Sequence, residues 1–99
     1  MTIGKRIDVR HMYVSVEGRI DTITAPKLER LIMPDIDDIS EIEIDLSALD
    51  YISSAGLRSL IFIQKTVGKG KKMTVTGCSD EILELFEITG FYSVFNIIK

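Results

Sequence analysis

The sequence predicts an α/β domain on a mixed, mostly parallel sheet of four to five strands, with helices mainly on one face. Three observations carry this. Apolar periodicity switches repeatedly along the chain between two and about 3.6 residues. Strand patterns alternate with helical ones, which calls for parallel strands joined by right-handed crossovers. The stretch Glu41-Ile42-Glu43-Ile44-Asp45-Leu46 alternates cleanly, whereas a strand buried on both faces reads as a continuous apolar run. The second face of the sheet should therefore stay partly open, which disfavours a doubly wound nucleotide-binding sheet.

Residues Ile3 to Val9 are expected to form a strand that pairs as a hairpin with the next one. In that next strand Met12, Val14 and Val16 alternate with Tyr13, Ser15 and Glu17, and Gly18 ends the pattern. From Thr24 the spacing turns helical, with Leu28, Leu31 and Ile32 on one face. Thr24 suits an N-cap, Pro26 suits a first turn, and Pro34 forbids continuation past about Met33. Ile42, Ile44 and Leu46 mark another strand, followed by a loop over Ser47 to Ser53. A helix then runs from about Ser54 to Val67, with Leu57, Leu60, Ile61, Gln64 and Val67 at helical spacing and Gly68 and Gly70 as stops. Met73 and Val75 alternate with Thr74 and Thr76 in a further strand. Ser79 can cap the next helix, whose first turn holds Asp80 and Glu81 and whose end is Gly90. Val94 to Ile98 completes the order β-β-α-β-α-β-α-β.

Ninety-nine residues are read as one domain, 1–99, near the lower end of what buries a self-sufficient core. An apolar fraction of 45% and a charged fraction of 27% belong to a folded chain rather than a disordered one. The longest apolar run, Leu60-Ile61-Phe62-Ile63, falls far short of the ~20 residues of a membrane span. With no basic region leading into an apolar stretch, a cytoplasmic protein without membrane insertion is expected. A net charge of −3 argues against nucleic acid as a partner. The basic cluster Lys65, Lys69, Lys71 and Lys72 reads as a solvated helix end plus turn. Cys78 is alone, so no internal disulfide forms, and Cys78 with His11 falls short of the ~four ligands of structural zinc.

Chemistry concentrates between Asp45 and Ile61. A charged-edged strand leads to the apolar pair Tyr51-Ile52, then to two hydroxyls, Ser53 and Ser54, at the mouth of a helix. The first backbone N–H groups of a helix are unpaired, and with the positive end of its dipole they favour an anionic oxygen. A phosphate on Ser54 would be tolerated there, adding about −1.5 to −2 charges and three acceptor oxygens. Capping alone also explains a serine at this place. Gly56 removes a side chain where a partner backbone could approach.

This stretch resembles the signature of STAS domains, the fold shared by anti-sigma-factor antagonists and the cytoplasmic tails of sulphate transporters. Asp45-Leu46-Ser47 matches the opening of the antagonist pattern, Tyr51-Ile52 its aromatic–aliphatic pair, and Ser54, Gly56 and Leu57 its close. Gly18-Arg19-Ile20-Asp21-Thr22 looks like the family's loop after the early strand, and Ile82 to Phe91 its final helix and exit. The resemblance spans about Met12 to Ile98. It implies a STAS-type fold, with Ser54 as phosphoacceptor, Asp21, Thr22, Ser53 and Gly56 around it, and Tyr51, Ala55, Leu57 and Arg58 facing a partner. That partner would be an anti-sigma factor acting as a serine kinase with a histidine-kinase-like ATP-binding fold. A metal-dependent serine phosphatase would restore the binding form. ATP and metal would belong to the partners, so the domain itself needs no cofactor. Three positions depart from the pattern: Ser53 replaces the usual acid, Ala55 a Ser or Thr, and Arg58 a small residue.

Other residues have two readings each. Asp21 is either a loop acceptor for nearby N–H groups or part of the pocket. Arg58 either pairs a phosphate on Ser54 or is a surface charge. Asp45 reads as solvated or hydrogen-bonded, His11 as part of a hairpin turn, and the scattered methionines as core or terminus. An enzyme with Ser54 as nucleophile is disfavoured, since no Gly-x-Ser-x-Gly elbow surrounds it and His11 is the sole imidazole. A receiver domain would need clustered acids at strand ends. A STAS module that docks constitutively within a signalling or transport complex, without phosphorylation, is the remaining alternative.

Overall fold

The computed structural model describes residues 1–68 and 70–98. Lys69, in the basic cluster, lies outside the described residues, as does Lys99. Five strands, β1 (Thr2–Asp8), β2 (His11–Ile20), β3 (Glu41–Ile52), β4 (Lys72–Thr76) and β5 (Asn96–Ile98), form one sheet in the order β1-β2-β3-β4-β5. β1 and β2 are antiparallel, closed at Asp8 and His11 by the two residues Val9 and Arg10. The other neighbours are parallel, each crossover being helical: α1 (Ala25–Ile32), α2 (Ser54–Val67) and α3 (Asp80–Thr89). At Pro34 the chain leaves α1 and tightens into a 3-10 segment, Met33–Asp38. Two lysines hold that segment: Lys5 pairs with Asp35, and Lys71 Nζ donates to the Ile36 carbonyl at 2.7 Å.

Alternation decides which face is covered. Met12, Val14, Val16, Ile42, Ile44, Leu46, Met73 and Val75 point inward and are buried. They meet Leu28 and Ile32 of α1, Leu57, Leu60, Ile63 and Val67 of α2, and Ile82 and Phe86 of α3. The intervening Ser15 and Glu41 are exposed, and Tyr13, Glu43 and Asp45 half-buried, on the face the helices leave open. His11 opens β2 directly after the hairpin turn, its ring stacked on Tyr13 with centroids 4.1 Å apart.

Two strands run further than their sequence pattern indicates. Gly18 does not end β2, and the expected loop Ser47 to Ser53 is mostly strand, since β3 continues to Ile52. The buried residues there, Leu46, Leu49 and Ile52, are spaced by three rather than two. Two bulges explain the spacing: the register passes from Ser15↔Asp45 to Glu17↔Ala48, then from Gly18↔Leu49 to Arg19↔Tyr51. Each adds an unpaired residue to β3 and defeats a period-two reading. Gly18 takes φ +96°, a value open to glycine, between them. Smaller differences follow packing. Ile63 of α2 is fully buried whereas Ile61 and Gln64 are half-buried, and β5 begins at Asn96 because Phe95 turns inward against Phe86.

Candidate functional site

The carboxyl ends of β2 and β3 bring two segments together, Asp21–Thr24 and Ser53–Arg58, where open α/β sheets commonly bind ligands. They are stitched by the Ser53 N–H, which donates to the Ile20 carbonyl at 2.9 Å. In the first segment Thr24 holds the N-cap position of α1 without a side-chain capping bond, and the Asp21 carboxylate closes the turn before it. Its Oδ1 accepts from the N–H groups of Ile23 and Thr24, both at 3.0 Å. The Thr24 hydroxyl instead accepts from the Asp21 N–H at 2.8 Å and donates to the Arg19 carbonyl at 2.9 Å. The Thr24 N–H bond, helped by Ile23, the Thr24 hydroxyl and the Arg19 charge, holds the Asp21 carboxyl below its ordinary range against some desolvation.

The two serines separate in role. Ser53 has extended backbone and is the N-cap of α2, its Oγ accepting from the Gly56 N–H at 3.2 Å. Ser54 is the first helical residue and is exposed, and its hydroxyl makes no hydrogen bond among the described residues. Gly56 is buried: a Cβ there would lie 2.7 Å from Ile52 Cγ1 and 2.8 Å from the Ile20 carbonyl oxygen. Its missing side chain thus admits the end of β2, an internal contact, and leaves no surface opening. Leu57 is buried except at one edge, Ala55 is half-buried, and Thr22 and Arg58 are exposed.

Two depressions flank the start of α2. One, about 350 Å³, lies toward α3, with Tyr51, Ser53, Ser54, Leu57, Ile82 and Leu85 in its wall. The other, about 340 Å³, lies toward α1, with Thr22, Pro26, Ala55, Arg58 and Phe62 in its wall. Phe62 is 51% exposed and Ile23 73%, so this end of the molecule presents apolar surface. Arg58 therefore stands on the α1 side of the helix and Ser54 on the α3 side.

One member of the cluster carries no sequence-based assignment. Arg19 lies over the Tyr51 ring, 4.8 Å from its centroid, and its Nε is 3.6 Å from Asp21 Oδ2. What places it there is the sheet register, which sets Arg19 opposite Tyr51 just before β2 ends at Ile20. Asp45, in contrast, is occupied within the fold. Its Oδ1 accepts from the Ser47 N–H at 2.9 Å and sits where a side chain at Gly77 would clash, at 2.7 Å. Cys78 is half-buried, and that burial pushes its thiol up to about 11, making it a poor nucleophile at neutral pH. Among the described residues no three His, Cys, Asp or Glu side chains gather as metal ligands, and no helix is long and apolar enough to cross a membrane.

Residues 2–99 match the STAS domain. The chain belongs to the STAS domain family. Within it the chain is 33% identical to the anti-sigma-B factor antagonist of Listeria monocytogenes, over 94% of this chain and 83% of the relative. Identity is also 33% to the protein of that name from Staphylococcus aureus, over 85% of this chain and 80% of the relative. A crystal structure of an anti-sigma factor antagonist from Mycobacterium paratuberculosis superposes with a TM-score of 0.87 at 30% identity, covering 97% of this chain and 83% of that one. These relatives carry regulatory names, and the solved structure shares the fold of this chain, a five-stranded mixed sheet with three helices.

Proposed function

We propose that this protein is a cytoplasmic anti-sigma-factor antagonist. It binds an anti-sigma factor through the surface around the start of α2 and is released when Ser54 is phosphorylated. The observation that carries this is the division of labour between the serines: Ser53 Oγ is tied to the Gly56 N–H, while Ser54 is exposed with its hydroxyl unengaged. A kinase needs a hydroxyl it can reach, and α2's first N–H groups favour the anion it leaves behind.

In the forward step the Ser54 Oγ forms a bond to the γ-phosphorus of ATP held by the partner. The bond from that phosphorus to the β–γ bridging oxygen breaks, ADP departs, and the hydroxyl proton passes to a base of the kinase. A serine phosphatase reverses the state with water, giving back the hydroxyl and inorganic phosphate. ATP and metal ions come with these partners, and the domain is their substrate. Phosphate adds about −1.5 to −2 charges to a surface that must desolvate on docking. Breaking the complex needs no unfolding: each ~1.4 kcal/mol lost is a tenfold fall in affinity.

The test is incubation with the cognate anti-sigma kinase and ATP, read by intact mass and peptide mapping. One phosphoryl group on Ser54, absent in Ser54→Ala, is the expected result. A stable complex without any modification would support a constitutively docking STAS module and overturn the switch. Modification at Ser53 would overturn the assignment of the acceptor.

A further inference from the structure

Among the charged groups at the carboxyl ends of β2 and β3, Arg19 is held in an unusual way. Its guanidinium rests against the Tyr51 ring, and the 3.6 Å from Nε to Asp21 Oδ2 is longer than a hydrogen bond. Its side chain is 64% exposed, so its N–H donors remain available. Asp21 is fixed independently, because Oδ1 is engaged by two backbone N–H groups. The carboxylate therefore steers Arg19 without tying it down.

The sheet puts this group at the right place. β2 and β3 pair Arg19 with Tyr51 and Ile20 with Ile52, and the Ser53 N–H bonds the Ile20 carbonyl. Arg19 thus stands at the lip from which Ser53 and Ser54 emerge, and Tyr51, Ser53 and Ser54 line one groove. No carboxylate sits at position 53 to compete for the guanidinium, and the two that line the groove are Asp50 and Glu81. Arginine's planar fork matches phosphate oxygens better than any other side chain.

We propose that Arg19 is the phosphate-receiving group of this domain: once Ser54 is phosphorylated, its guanidinium leaves Asp21 and the Tyr51 ring for the phosphate oxygens. This rests on Ser54 as the acceptor. The docking surface then changes twice, losing an available cation while gaining an anion, and the outer face of Tyr51 is uncovered. Arg58, four residues along α2 from Ser54, is the rival receiver; it lines the depression toward α1 and not the groove that Tyr51 shares with Ser54.

Phosphoserine placed at position 54 by encoded incorporation tests this without a kinase, so failure of the phosphorylation assay and failure of this proposal are separable. The second phosphate pKa, near 6 in a free phosphoserine, is followed by phosphorus NMR. In Arg19→Gln it is expected to rise by about 0.3–0.5 relative to the parent, the size of an exposed ion pair, and in Arg58→Gln by less. Arg19→Lys should keep part of the difference, and amide spectra of every variant check the fold. No rise in Arg19→Gln, or an equal or larger one in Arg58→Gln, overturns the proposal.

Discussion

The two halves of the stretch from Asp45 to Arg58 are alike in motif density and unlike in physical role. From Asp45 to Ile52 the chain is taken up by the sheet. Leu46, Leu49 and Ile52 are buried, and the Asp45 carboxylate secures the Ser47 N–H beside the first bulge. From Ser53 to Arg58 it is a helix start, with Ser54 and Arg58 in solvent. A family signature thus mixes residues that make the fold with residues that use it, and only burial and hydrogen bonding tell them apart. Substitutions at the buried positions of the first half should act on stability, and those at exposed positions of the second half on binding.

The largest stability effect should come from Leu46→Ala, where Leu46 is 1% exposed: about 2–5 kcal/mol by urea denaturation. The fraction that remains folded should bind the partner normally. Gly56→Ala sharpens the comparison, because Gly56 stands in the second half yet packs inside. Its new Cβ meets Ile52 and Ile20, and a loss of about 1–3 kcal/mol is expected. If Gly56→Ala kept full stability and lost binding, the internal role given to this residue would be wrong.

The serine pair gives a finer division. Ser53→Ala removes the N-cap acceptor for the Gly56 N–H and should cost about 1 kcal/mol. Ser54→Ala should change stability by less than about 0.5 kcal/mol, as exposed substitutions do, while abolishing phosphorylation. The smallest effect is a pH dependence at Asp21. Its folded-state pKa is depressed, so its stabilisation is complete above the unfolded value and is lost as pH falls through the folded one. Asp21→Asn should therefore melt below the parent at pH 7, with the gap closing under about pH 4, where the carboxylate titrates. A gap that persisted unchanged in acid would assign the difference to hydrogen-bond geometry rather than charge.

These contrasts also explain what the amino-acid sequence could disclose. The element order was readable because Met12–Val16, Ile42–Leu46 and Met73–Val75 keep period two, while Ser79 and Gly90 bracket α3 as a cap and a stop. The continuation of β3 was hidden, because bulges turn Leu46, Leu49 and Ile52 into a spacing that matches neither template. At the site, the resemblance drew attention to Ser53, Ser54 and Asp21. It did not separate a capping serine from a free one, since that depends on which residue takes the extended backbone. Burial of Gly56 and the Arg19–Tyr51 contact depend on the β2–β3 register, which no local pattern encodes.

The central claim is that charge on Ser54 decides docking. The direct measurement is calorimetric titration of the anti-sigma factor with the unmodified protein and with the protein carrying phosphoserine at position 54. A loss of at least about a hundredfold in affinity, or ~2.7 kcal/mol, is predicted on phosphorylation. Equal affinity for the two forms would contradict it.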